Sequence, residues 1–174
     1  MIVAKAIKPQ RFKEEVFAKA ITDAANLAAR DIQKDFESTI KTWKHKVKFV
    51  KEVDIKASPV QILVGTDDEI YRYVDEGTKP HPIFAGIYTG KSNKKALAFP
   101  WGGKGSYKAK TMPGVIGSQQ GGASGPMRAF PFVQHPGTKA RNFDEAVRKM
   151  WEPKFKKLME AAMRIAARGS GHGA

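Results

Sequence analysis

From about residue 11 to residue 43, apolar side chains recur every three or four positions, at Phe17, Ile21, Ala24, Ala28, Ile32, Phe36, Ile40 and Trp43. That spacing places them on one stripe of an α-helix, and the stripe is a core face. At about 1.5 Å per residue such a helix runs roughly 50 Å, more than a compact domain of this size needs, so part of it is expected to pack on another subunit. The period then falls to two. Val47, Phe49, Val53 and Ile55 alternate with Lys46, Lys48, Glu52 and Asp54, which predicts a half-buried strand. Ser58-Pro59 supplies a turn, and Val60 to Val64 returns as the second strand of a hairpin that Gly65 ends. Residues 69–78 set aromatics and Val74 between charges, a short helix or irregular strand halted by Gly77 and the prolines that follow.

Ala96 to Phe99 predicts one more strand, and Arg128 to Val133 another, at a sheet edge because Pro131 lacks a ladder donor. Between them, residues 102–126 hold eight glycines and two prolines and few large aliphatic side chains. Such a stretch buries too little surface to offset its ordering entropy, so it reads as a loop or arm. The last element is a helix opened by a capping box of Asn142 and Glu145. Phe143, Val147, Trp151, Phe155, Leu158, Ala162 and Ile165 or Ala166 form its apolar stripe, and Pro153 is expected to kink or restart it near Trp151. Gly169 closes it, leaving residues 169–174 as a frayed tail after the short apolar lead from Met1 to Ile7. The order of elements describes a single α+β domain over residues 1–174. A small, mostly antiparallel sheet is covered by a long N-terminal helix and a C-terminal helix, with a glycine-rich insertion at 89–127.

Composition sharpens this picture. The 174 residues carry 31 Lys plus Arg against 17 Asp plus Glu, a formal net charge of +14, and no cysteine. A disulfide scaffold, a thiol nucleophile and a thiolate metal site are therefore excluded. No apolar run is long enough to span a membrane and no secretory leader opens the chain, so a soluble protein made in a cytosol is expected. The charge is uneven: residues 89–141 contain nine basic side chains and no carboxylate. Such a segment stays solvated or lies against a negative surface. Asp67, Asp68, Glu69, Asp75 and Glu76 form a ready acidic complement just upstream.

Enzymatic constellations are thin. Gly90-Lys91-Ser92 suggests a phosphate loop, but Ala85 stands where such a loop needs glycine, and prolines flank it instead of a strand and a helix. Histidines 45, 81, 135 and 172 lack metal-ligand spacing; a metal site would have to gather His81, His135 and Asp75 or Glu76 through the fold, whereas the His-Pro pairs read as rigid turns. Serines 92, 106, 118 and 124 all lie in the glycine-rich stretch, and no triad or carboxylate dyad can be nominated. Nucleic-acid binding is the stronger physical alternative. Lys41, Lys44, Lys46, Lys48 and Lys51 are interleaved with Trp43, His45 and Phe49, and the arm offers Lys91, Lys94, Lys95, Lys104, Lys108 and Lys110 near Trp101 and Tyr107. Trp43 and Phe49, however, already belong to core stripes.

Two segments go beyond generic pattern. Ile70 to Ile83 contains Tyr71, Val74, Gly77 and Thr78 in the order Y-x-x-V-x-x-G-T, followed by Lys79, Pro80, His81 and Pro82. Val133 to Phe143 contains His135, Pro136, Gly137, Thr138, Ala140 and Phe143 in the order H-P-G-T-x-A-x-x-F. Both resemble segments of a family of tailed-bacteriophage neck proteins, the tail-completion or head–tail joining proteins of long-tailed phages. The leading helix, the glycine-rich insertion and the closing helix match that family in order. The resemblance implies a virion protein with no catalytic site and no cofactor, assembled in the host cytoplasm. It would form a homo-oligomeric ring in the neck, between a portal-side connector or stopper and the tail terminator or tube, with genomic DNA passing through the lumen. A tail-terminator-like ring is the neighbouring reading, and a basic nucleic-acid-binding protein the alternative of a different class. A ring needs two unlike surfaces on each subunit. The expected pair is the arm, with Lys91, Lys94, Lys95, Lys104, Lys108 and Lys110, against Asp67, Asp68, Asp75 and Glu76. The Gly77-Thr78 and Gly137-Thr138 turns would position the strands and the last helix.

Overall fold

A computed structural model describes residues 11–56 and 59–172. The apolar lead at 1–7, Ser58 of the expected turn and the last two residues of the tail lie outside the described residues. The architecture is α+β. Helix α1 spans Glu14–Thr39; strands β1 (Val50–Asp54) and β2 (Gln61–Gly65) pair with each other; α2 spans Glu69–Asp75. Then follow β3 (His81–Phe84), a four-residue helix α3 (Gly86–Thr89), β4 (Leu97–Pro100), β5 (Tyr107–Lys108), β6 (Gly122–Ala123), β7 (Met127–Phe130), β8 (Phe132–His135) and α4 (Phe143–Gly169).

The chain divides into two compact units, where the sequence suggested one domain. The first gathers described residues 11–33, 51–64 and 149–172; the second gathers 34–50 and 65–148. In the first unit the buried apolar residues are alanines: Ala24, Ala25, Ala28 and Ala29 of α1, and Ala162 and Ala166 of α4. The start of α1 meets the end of α4. The Lys13 amide donates to Ser170 Oγ at 3.2 Å, and the Phe12 ring lies 4.2 Å from the His172 ring. The chain end expected to fray at 169 is therefore held through His172. Two bonds close it, from the Gly171 amide to Arg168 O and from the His172 amide to Ala167 O, the pair that satisfies a helix's last carbonyls in a Schellman motif.

The second unit is built on aromatic rings. Phe36 stacks on Phe49 at 5.6 Å, Phe49 meets Tyr71 edge-on at 5.1 Å, and Tyr71 lies 5.8 Å from Phe143, with Trp43 beside it at 6.2 Å. Burial pushes the Tyr71 phenol far above its ordinary pKa. Phe49 is thus a core residue, as its periodicity predicts, while Trp43 is half-buried and lies beyond the end of α1.

One small sheet was expected, and four separate two-stranded ladders are found among the described residues. Two of them part at Pro131. Residues 128–133 form two strands, since proline has no amide to donate and its carbonyl instead accepts from the Ala85 amide at 3.0 Å. The chain bends there, so β7 pairs antiparallel with β4 while β8 pairs antiparallel with β3. The helix α4 also differs from expectation. It does not restart at Pro153, which lies inside one helix. Asn142 does not take the extended conformation of an N-cap, having a φ of 51°, a left-handed value that asparagine tolerates.

Candidate functional site

The two Gly-Thr segments, sixty residues apart, meet in the second unit. The Thr78 amide donates to Thr138 O at 2.9 Å and the Thr138 amide donates back to Thr78 O at 3.1 Å, a reciprocal antiparallel bridge. The Thr138 amide also lies 3.0 Å from Thr78 Oγ1. The glycines make this approach possible. Gly77 and Gly137 have φ values of 80° and 84°. A Cβ on Gly77 would strike Thr138 O and the Ala140 amide, and one on Gly137 would strike Thr78 O.

From this bridge β3 and β8 run as a ladder in which His81 faces His135, Pro82 faces Gln134, Ile83 faces Val133 and Phe84 faces Phe132. The His-Pro pairs are therefore at the start of one strand and the end of another, not in isolated turns. A two-stranded ladder leaves alternate amides facing outward, and Pro82 costs it no bond there. The imidazoles lie 5.2 Å apart. His81 Nδ1 donates to Lys79 O at 2.8 Å, whereas His135 Nδ1 accepts from the Gly137 amide at 3.1 Å. Among the described residues no three His, Asp or Glu side chains gather as a metal site. Beside His81 is a shallow open hollow of about 430 Å³ lined by Tyr73, Thr78, Lys79, Pro80 and His81.

Two residues of the acidic block are engaged inside the unit. Asp68 caps α2, its Oδ1 accepting from the Tyr71 amide at 2.8 Å, and the His45 imidazole donates to its other oxygen. The His45 bond, with the Tyr71 amide adding to it, holds the Asp68 carboxyl below its usual pKa. Asp75 ends α2 and caps α4: its carboxylate accepts from the Phe143 amide, and its carbonyl accepts from the Arg141 and Asn142 amides at 2.9 and 3.1 Å. This remote carboxylate takes the place expected for the Asn142 side chain. Burial raises the Asp75 pKa, and the Phe143 amide only partly opposes that shift. Asp67 and Glu76 remain exposed. The remote cap escaped sequence reasoning because nothing local links residue 75 to residue 143.

The glycine-rich stretch is an ordered ribbon. Beyond the β4–β7 ladder, the Trp101 amide donates to Pro126 O at 2.8 Å, the Ser124 amide to Ser106 O at 3.2 Å, and Tyr107 and Lys108 pair with Ala123 and Gly122. Its tip returns to its own unit. Lys110 Nζ donates to Thr42 O at 3.1 Å, Arg141 Nε donates to Thr111 Oγ1 at 3.1 Å, and the Gly114 amide donates to Arg141 O at 2.6 Å. Thr111 is buried. The free arm expected from composition is thus tied down at its far end, and Lys110 with it. Lys91, Lys94, Lys95, Lys104 and Lys108 are exposed. Gly90 and Lys91 follow a short helix, so the phosphate-loop arrangement of strand, loop and opening helix is absent here.

The ribbons leave large apolar side chains in water. Met127 is 64% exposed, Tyr107 63%, Phe132 55% and Phe84 47%, with Trp101, Ile83, Ile87 and Tyr88 also exposed. The Phe84 and Phe132 rings face each other across the ladder at 6.0 Å. Comparison with models of known protein families, with curated proteins and with solved structures finds no match.

Proposed function

We propose that this protein is a non-enzymatic structural subunit of a tailed-phage neck, forming a ring between the portal-side connector or stopper and the tail terminator or tube of the virion. The observation that carries this reading is the apolar surface of the two-stranded ribbons. A lone two-stranded ladder is marginal in water, and contiguous exposed aromatics mark a surface that another chain covers. Phe84 and Phe132 on one ribbon, and Met127 and Tyr107 on the other, are the contact residues of that surface. The resemblance of the two Gly-Thr segments to neck proteins supplies the kind of assembly, and the two segments meet in a reciprocal bridge.

The revised interface is apolar at its centre. Asp68 and Asp75 hold helix ends, so the pairing of an acidic block with a basic arm contributes less than composition suggests. Sedimentation and negative-stain imaging of the purified protein, alone and with its connector, test the proposal. Rings or co-assembly are expected. A strict monomer at high concentration that ignores every neck component overturns it.

A further inference from the structure

We propose that the lysine-bearing ribbon, together with the loop leading into it, binds the phosphate backbone of duplex DNA without reading base sequence. Six exposed cations lie on this continuous stretch: Lys91, Lys94 and Lys95 in the loop between α3 and β4, Lys104 and Lys108 on the ribbon, and Arg128 on β7. No carboxylate occurs from residue 77 to residue 143. The neighbouring acidic block offers them few partners, because two of its five carboxylates, Asp68 and Asp75, are committed to the amides of Tyr71 and Phe143. A second copy of the chain adds net positive charge, since each copy carries a formal +14 and a ring of identical subunits multiplies it. A polyanion supplies the missing counter-charge.

Duplex DNA fits this requirement. It carries about one negative charge per 1.7 Å of axis, and its major groove admits a two-stranded β-ribbon. The contacts are point charges on flexible stems, which follow phosphates and do not discriminate bases. This inference is independent of the neck reading, since it rests on charge and on the ribbon alone.

Fluorescence anisotropy with two labelled duplexes of unrelated sequence, titrated across salt, tests it. Both duplexes are expected to bind equally, with a log–log salt slope near −5 for about six neutralised phosphates, so that affinity falls about a thousandfold between roughly 50 and 200 mM salt. K104Q/K108Q is expected to flatten the slope by about two, and K91Q/K94Q/K95Q by about three, with circular dichroism unchanged. Three results overturn the proposal: absence of binding at low salt, slopes that neither variant alters, or equal affinity for a polyglutamate of matched charge. Failure of ring assembly would appear in sedimentation and leave these outcomes as they are.

Discussion

Gly137 shows how much one backbone position decides. Its φ of 84° is strained for any side chain, and a Cβ there would also press on Thr78 O. Gly90, with a φ of 68° and open space around it, carries the conformational cost alone. Gly137→Ala is expected to lower stability by about 2–4 kcal/mol and Gly90→Ala by about 1–2 kcal/mol. Urea unfolding of both variants measures the difference; equal losses would mean that the close approach at Thr78 has no energetic weight. Asp75 makes a prediction of opposite character. Its folded pKa lies above its unfolded value, so the folded state holds the proton more tightly, and this group adds stability as pH falls through the folded pKa towards about 3.8. Asp68 has the reverse sign: its contribution is present above about 3.8 and is lost as pH falls through its depressed folded value. Asp75→Asn keeps an acceptor for the Phe143 amide and removes the charge. It is expected to unfold at the same urea concentration as the parent or higher, while Asp75→Ala loses about 1 kcal/mol. Urea titrations at several pH values decide this, and an Asn variant as weak as the Ala variant would refute the account.

At the scale of elements, the ribbon and the last helix are joined through Arg141. Its amide closes the end of α2, its carbonyl accepts from the Gly114 amide, and its guanidinium reaches Thr111. Thr111→Val removes the acceptor at nearly constant shape and is expected to cost about 1 kcal/mol. Hydrogen exchange should register it as faster exchange of the Gly114 amide, with the amides of α1 unchanged; unaltered exchange at Gly114 would show the tip is held by other contacts. A deletion of residues 102–126 removes these anchors as well as the stem, so it is expected to weaken the second unit and not merely its assembly.

For the whole molecule, the balance between buried and exposed apolar surface governs behaviour. Only alanines, Phe36, Phe49, Tyr71, Phe143 and Val147 are well buried among the hydrophobic residues described, while aromatic side chains of the ribbons stay in water. Phe84→Ser combined with Phe132→Ser is expected to leave the helical circular dichroism intact and abolish higher oligomers. Sedimentation velocity checks it, and rings that persist in the double variant would move the interface elsewhere. No helix among the described residues is long and apolar enough to cross a membrane.

Helix α1, the β1–β2 hairpin and α4 were legible because their signals are local: a 3.6- or 2-residue apolar period and a Gly near a helix end. Charge placement was equally legible, since it needs no fold to be counted. What the linear chain does not contain is which distant groups meet. The Thr78–Thr138 bridge, the Asp75 cap on α4, the split at Pro131 into two ladders and the return of the ribbon tip to Thr42 and Arg141 all join residues far apart in sequence. Each rests on hydrogen bonds whose partners have no local spacing to reveal them, so tertiary packing alone decided them. Sequence by itself determined the two long helices and the basic stretch. Tertiary structure decided that each motif glycine lies against the backbone of the other segment, that Asp68 and Asp75 are spent on helix ends, and that the ribbon lysines other than Lys110 are exposed.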